Sequence, residues 1–156
     1  LQQRLGLAER VFAIDMHTGL GPHGKDTLIL EPGVGTASVA ALQAALRRPL
    51  TGGGAAPAAY TVRGSLGAAL PRLLPEARVE FVLQEIGTWP ALRVISALRE
   101  ENRWHHFGGG GTDHAAKRGL LEALCPASPA WREAAATLGA DLVHRAAAWL
   151  FAERRP

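Results

Sequence analysis

Val11-Phe12-Ala13-Ile14-Asp15-Met16-His17-Thr18-Gly19 opens as an unbroken apolar run and ends on an imidazole and a glycine. Its β-branched and aromatic content predicts a buried strand over 11–17. Val79-Glu80-Phe81-Val82-Leu83-Gln84-Glu85-Ile86-Gly87-Thr88 has the same build, a strand over 79–85 that ends on a carboxylate. Strands of this kind alternating with helical segments predict an α/β fold with a mixed sheet flanked by helices. Open α/β sheets keep their sites at strand ends, so His17 and Glu85 are the first candidates for chemistry.

The rest of the chain organises around these two segments. Residues 1–10 read as the end of a helix anchored by Leu5 and Leu7, and 27–31 as a short second strand behind a Gly/Pro-rich loop. A helix over 36–48 places Val39, Leu42 and Leu46 on one face and stops at Pro49. The segment Thr51-Gly52-Gly53-Gly54-Ala55-Ala56-Pro57-Ala58-Ala59 predicts a flexible loop. A further helix is expected over 65–74. Thr88 then caps a helix with Leu92, Ile95 and Leu98 on its core face, and Gly108–Gly111 forms a second glycine hinge. Ser128-Pro129 opens the longest helix, which runs to Phe151 with Trp131, Leu138, Leu142 and Trp149 as its core stripe. No internal repeat is visible, and 1–156 reads as one domain.

Composition narrows the function classes. The 156 residues are 47% hydrophobic and 20% charged, a globular balance. The net charge of +3 rests on arginines dispersed among acids, with Lys25 and Lys117 as the two lysines. Without a basic stripe or interleaved aromatics, nucleic acid is not an expected partner. No apolar run reaches the roughly 18 residues of a membrane span, so no membrane association is expected. A single cysteine, Cys125, excludes an internal disulfide and a cysteine metal cage, and its apolar setting predicts a buried, inert thiol. No signal peptide is seen, which points to the cytoplasm. The chain starts at Leu1, and its one methionine, Met16, lies inside the first strand. It is therefore expected to be a piece of something longer.

Gly19-Leu20-Gly21-Pro22-His23-Gly24-Lys25 carries the glycine skeleton of a phosphate-binding loop. Three features oppose that reading. Asp26 replaces the magnesium-binding hydroxyl, Pro22 removes an N–H donor, and Thr27-Leu28-Ile29-Leu30 predicts a strand where the mechanism needs a helix.

Asp15-Met16-His17-Thr18-Gly19-Leu20-Gly21-Pro22-His23-Gly24 resembles the zinc carboxypeptidase superfamily, above all a bacterial branch of uncharacterised metallopeptidase-like proteins with a D-L-H-T-G-L-G-P-x-G segment. Tyr60 with Gly64-Ser65-Leu66, then Glu85-Ile86-Gly87-Thr88, Leu98-Arg99 with Glu101-Asn102, His105-His106, Cys125-Pro126 and Trp131-Arg132 follow in the same order, over most of the chain. The resemblance implies a carboxypeptidase-like sheet, the phosphorylase/hydrolase-like fold, represented here by its C-terminal half. It implies that His17 is a zinc ligand and that Glu85 takes a proton from metal-bound water and passes it to the leaving amine. Zinc lowers the pKa of its bound water to about 7, so a neighbouring carboxylate suffices for that step. Asp15, two residues before His17 on the same strand face, is expected to orient the imidazole. Tyr60 and Thr88 are candidates for supporting or contacting the substrate, a peptide or an N-acyl amino acid.

One departure is large. The superfamily takes its first two zinc ligands from a His-x-x-Glu motif, and none occurs in this chain. Catalytic zinc normally has three protein ligands, so the metal site needs residues that this chain does not supply. An incomplete sheet edge predicts self-association or a partner carrying the missing half. Two readings compete with an amide hydrolase: a non-catalytic binding module that keeps the scaffold, and the degenerate phosphate loop. His105-His106, His23, Asp113-His114 and Cys125 are expected to be structural or surface residues, while Arg63, Arg93 and Arg103 are candidate carboxylate binders.

Overall fold

The computed structural model describes residues 5–30, 36–52, 64–109 and 111–152. Among the described residues, four strands and five helices follow in the order β1 (Arg10–Gly19), β2 (Asp26–Leu30), α1 (Thr36–Leu46), β3 (Leu50–Gly52), α2 (Leu66–Leu73), β4 (Arg78–Gly87), α3 (Ala91–Phe107), α4 (Ala115–Leu124) and α5 (Pro129–Ala152). The strands form one mixed sheet in the order β1-β4-β2-β3. The α/β class expected from the sequence is the observed one. β2 and β3 run parallel, with Leu28 opposite Leu50 and Leu30 opposite Gly52, and α1 is the crossover between them.

Two compact units divide the chain. The first holds 1–15, 28–84 and 140–156; the second holds 16–27 and 85–139. In the first, Leu28 and Leu30 of β2, Leu42 and Leu46 of α1, Val82 of β4 and Leu142 of α5 form a buried cluster. Phe12, Ile14, Val39 and Leu50 pack against it. The apolar faces of short strands and the one-sided stripe of α1 have no other way to leave water, and this burial supplies most of the stability of such a unit. Arg145 binds the end of α1: Nη1 donates to the Leu46 carbonyl at 3.0 Å, while Nε holds Asp141 at 2.7 Å. A cation at the carbonyl end of a helix complements its dipole. The Arg10 guanidinium lies 3.8 Å from the Trp149 ring centroid, and Phe12 meets the same ring edge-on at 5.5 Å.

The second unit is built on α3 and α4 with the first turns of α5. Val94, Ala116, Ala123 and Trp131 are buried. Trp131 Nε1 donates to the Gly87 carbonyl at 2.9 Å, and Trp89 Nε1 to the Glu122 carbonyl at 3.0 Å. Trp131 is buried and Trp89 half-buried, and each indole satisfies its one donor.

Four local expectations need correction. Of the 51–59 segment expected as a loop, Thr51 and Gly52 belong to β3, and 53–59 lie outside the described residues. Leu7 is fully exposed and anchors nothing. The core face of α3 is not Leu92, Ile95 and Leu98, which are 80%, 48% and 44% exposed; Val94 is the buried residue. Cys125 is exposed rather than buried, since it ends α4 with its N–H on the Leu121 carbonyl and its side chain outward. The core stripe of α5 stands, with Trp131, Leu142 and Trp149 buried and Leu138 half-buried.

Candidate active site

β1 and β4 each run past their apolar stretch and bring one functional side chain to their ends. His17 Nδ1 lies 4.0 Å from Glu85 Oε2, the imidazole half exposed and the carboxylate 18% exposed. The second carboxylate oxygen is engaged: the backbone N–H of Leu20 donates to Oε1 at 2.8 Å. Glu85 therefore has one oxygen fixed by the loop after β1 and the other turned to the imidazole. A carboxylate with a single free oxygen beside an accessible imidazole is equipped to accept and return a proton at one defined atom.

The loop that supplies the Leu20 N–H is held by backbone. Gly87 N–H donates to the Lys25 carbonyl at 2.8 Å, and Gly24 N–H to the Gly87 carbonyl at 3.0 Å. Gly87 permits this approach only because it has no side chain: a Cβ there would stand 2.2 Å from the Pro22 carbonyl oxygen and 2.4 Å from the Gly21 carbonyl carbon. Gly24 takes φ +65°, a conformation that costs little only for glycine. Lys25 N–H closes the turn on the Pro22 carbonyl at 3.0 Å. Three of the loop's N–H groups, those of Leu20, Gly24 and Lys25, are thus spent within the protein. The chain then enters β2, where a phosphate cradle would need a helix N-terminus.

Thr88 is fully buried, and its Oγ1 lies 2.8 Å from the Gly19 carbonyl and 2.7 Å from the Ala123 carbonyl, between which its single proton is shared. The expectation that Thr88 caps α3 is corrected by this arrangement. The cap is Pro90, with no side-chain hydrogen bond, and the Thr88 hydroxyl ties the end of β1 to the end of α4. His23 adds a further clasp, its Nδ1 bonded to the Thr88 carbonyl and its ring 5.2 Å from that of Trp89. Asp15 is half-buried on β1, two residues before His17. Tyr60 and Arg63 lie outside the described residues.

A second polar group, not foreseen in the sequence, joins α3 to α4. Lys117 Nζ donates to Glu101 Oε1 at 2.6 Å, and His105 Nδ1 lies 4.0 Å from the same oxygen. The bonded ammonium holds the Glu101 carboxyl below its ordinary range, against the opposing effect of desolvation. Trp104 stacks on His114 at 4.5 Å, and His114 caps α4 by accepting the Ala116 N–H at 3.2 Å. Asp113 and His114 thus stand at the start of α4, His114 as its N-cap. No short-range signal links residues 101 and 117, so only the fold brings this ion pair together.

Among the described residues, no three His, Cys, Asp or Glu side chains gather to hold a metal ion. One imidazole and one carboxylate fall short of the three protein ligands that catalytic zinc takes. On their own, these residues do not fit a catalytic zinc.

The fold and site therefore define an α/β protein with an imidazole–carboxylate pair at its strand ends, the carboxylate fixed by a glycine loop. Residues 1–137 match the family described as protein of unknown function (DUF2817), and the chain belongs to that family. No curated protein and no solved structure matches it.

Proposed function

We propose that this chain carries the proton-transferring carboxylate and one metal-binding imidazole of an amide hydrolase of the zinc carboxypeptidase type, acting on peptides or N-acyl amino acids. The observation that carries this reading is the convergence of Glu85 and His17, with Leu20 N–H on the far carboxylate oxygen. Glu85 Oε2 takes the proton of the attacking water and returns it to the amine nitrogen as the C–N bond breaks. The loop N–H keeps the carboxylate from turning away between the two transfers. His17 contributes an exposed imidazole beside that path. Any zinc bound in the whole protein would draw its other ligands from outside the described residues.

The test is hydrolysis of a panel of dipeptides and N-acetyl amino acids by the full-length protein and its Glu85→Gln variant. Loss of a positioned proton carrier costs typically about 10²–10⁴ in rate, so the variant is expected to fall by at least the lower figure with its fold intact. An unchanged rate overturns the assignment.

A second reading has one observation in its favour. Among the described residues His17 is the one proposed ligand and no group of three gathers for a metal, as in a binding module that keeps the scaffold without the chemistry. That reading predicts no turnover of any of these amides, with or without added zinc.

A further inference from the structure

One peptide plane beside the candidate site is held along both of its edges. A trans peptide points its C=O and its N–H in opposite directions, so whatever fixes one fixes the other. The plane between Gly19 and Leu20 gives its N–H to Glu85 Oε1 at 2.8 Å. Its C=O, the Gly19 carbonyl, accepts from Thr88 Oγ1 at 2.8 Å and faces the Thr88 backbone N–H at 3.4 Å. Glu85 and the fully buried Thr88 therefore grip the same plane from opposite sides. Oγ1 is itself anchored, 2.7 Å from the Ala123 carbonyl near the end of α4. Gly19, Leu20, Glu85, Thr88 and Ala123 all belong to the second compact unit.

The plane needs such a hold. Gly19 takes φ +151°, a backbone state that only glycine adopts freely, so no side chain resists rotation of the peptide that follows it. Turned over, the plane would set the Gly19 carbonyl oxygen against the Glu85 carboxylate, two acceptors with no proton between them. Glu85 would then lose the donor that fixes Oε1 and leaves Oε2 as the one free oxygen. Of the two Thr88 groups on the Gly19 carbonyl, the hydroxyl supplies the stronger hold. An N–H at 3.4 Å lies beyond the usual limit of about 3.2 Å. β-branching leaves the buried Thr88 side chain few rotamers, which keeps the hydroxyl in place.

We propose that Thr88 is a positioning residue for Glu85, locking the Gly19–Leu20 peptide in the orientation that fixes one carboxylate oxygen and leaves the other to move the proton. Its effect on rate rests on the amide-hydrolase reading; the lock itself does not. The experiment compares the full-length protein with Thr88→Val, which keeps the side-chain shape and removes the hydroxyl, and with Thr88→Ser, which restores it. Leu20 amide exchange in ¹⁵N-labelled protein is read beside kcat and KM for amide hydrolysis. Thr88→Val is expected to lose about tenfold or more of the Leu20 protection. Its kcat should fall by about ten- to a hundredfold, the cost of slightly misplacing a reacting group. KM should hold, because the buried Thr88 touches no substrate, and Thr88→Ser should recover both losses. Leu20 exchange or kcat unchanged in Thr88→Val overturns the proposal and leaves the hydrolase reading standing. A loss of protection spread evenly over all amides, as from general destabilisation, overturns it too. If the wild-type protein hydrolyses no amide, the hydrolase reading falls, while Leu20 exchange still decides the lock. Should Thr88→Val fail to fold, the wild-type protein supplies the second measure. The Thr88 hydroxyl proton, held between two carbonyls, should exchange slowly enough to appear in the proton spectrum, and its absence overturns the proposal.

Discussion

Glu85 owes its geometry to a glycine two residues away. The Leu20 N–H reaches Oε1 because the loop after β1 lies against Gly87, with no room for a methyl group between Gly87 and the Pro22 carbonyl. Gly87→Ala must push that loop off by more than a flexible side chain could absorb, since the opposing atoms are backbone. Overpacking of this kind costs about 1–3 kcal/mol. Thermal unfolding should show that loss, and the Leu20 amide should lose its protection from hydrogen exchange as its bond to Glu85 is broken. An unchanged melting temperature would contradict that close approach. His17 and Glu85 were legible in the sequence because each ends a strand-like apolar run with a chemically able side chain. The Leu20 N–H was not, because every non-proline residue carries the same donor and only the fold selects one. Thr88 illustrates the same limit. Its position before Trp89-Pro90 suggested a cap, whereas burial set its hydroxyl against two carbonyls from distant segments.

At the scale of elements, α3 shows why helical periodicity alone misassigns a face. Leu92, Ile95 and Leu98 are spaced by three and satisfy the pattern, yet so do Val94, Ala97, Glu101 and Trp104, which are the inward or half-buried set. The inward set contains a carboxylate, which a hydrophobicity reading rejects. Lys117 of α4 makes it acceptable there by pairing at 2.6 Å. The Glu101 carboxyl is held below its ordinary value of 4.5, first by that hydrogen bond. A group with a depressed folded-state pKa contributes stability above its unfolded pKa, and that contribution disappears as the pH falls through the folded value. The α3–α4 contact should therefore weaken on acidification below about pH 4.5, and Glu101→Gln should abolish that part of the pH dependence. Amide exchange across α4, followed from neutral pH downward in both proteins, measures it. Parallel behaviour of the two would remove the ion pair from the account. β3 was missed for a simpler reason. At three residues it is too short to show alternation, and its pairing with β2 is a tertiary event.

For the whole molecule, the α/β class and most of the elements followed from apolar runs, proline and glycine punctuation, and the spacing within α1 and α5. The division into two compact units did not, because their boundaries cut through strands and through α5 instead of falling in linkers. Each unit has its own packing, the first around Leu28, Leu46, Val82 and Leu142, the second around Val94, Trp131 and the glycine loop. The candidate site lies within the second: His17, Leu20, Glu85 and Gly87 all belong to it. The central claim is that His17 and Glu85 divide the work of a hydrolase, one binding metal and the other moving protons. Zinc content and amide-hydrolysis rate, measured together on the full-length protein, separate the two roles. His17→Ala is expected to lose zinc and activity, whereas Glu85→Gln is expected to keep zinc and lose activity. Zinc occupancy unaffected by His17→Ala, with a rate unaffected by Glu85→Gln, would contradict the claim.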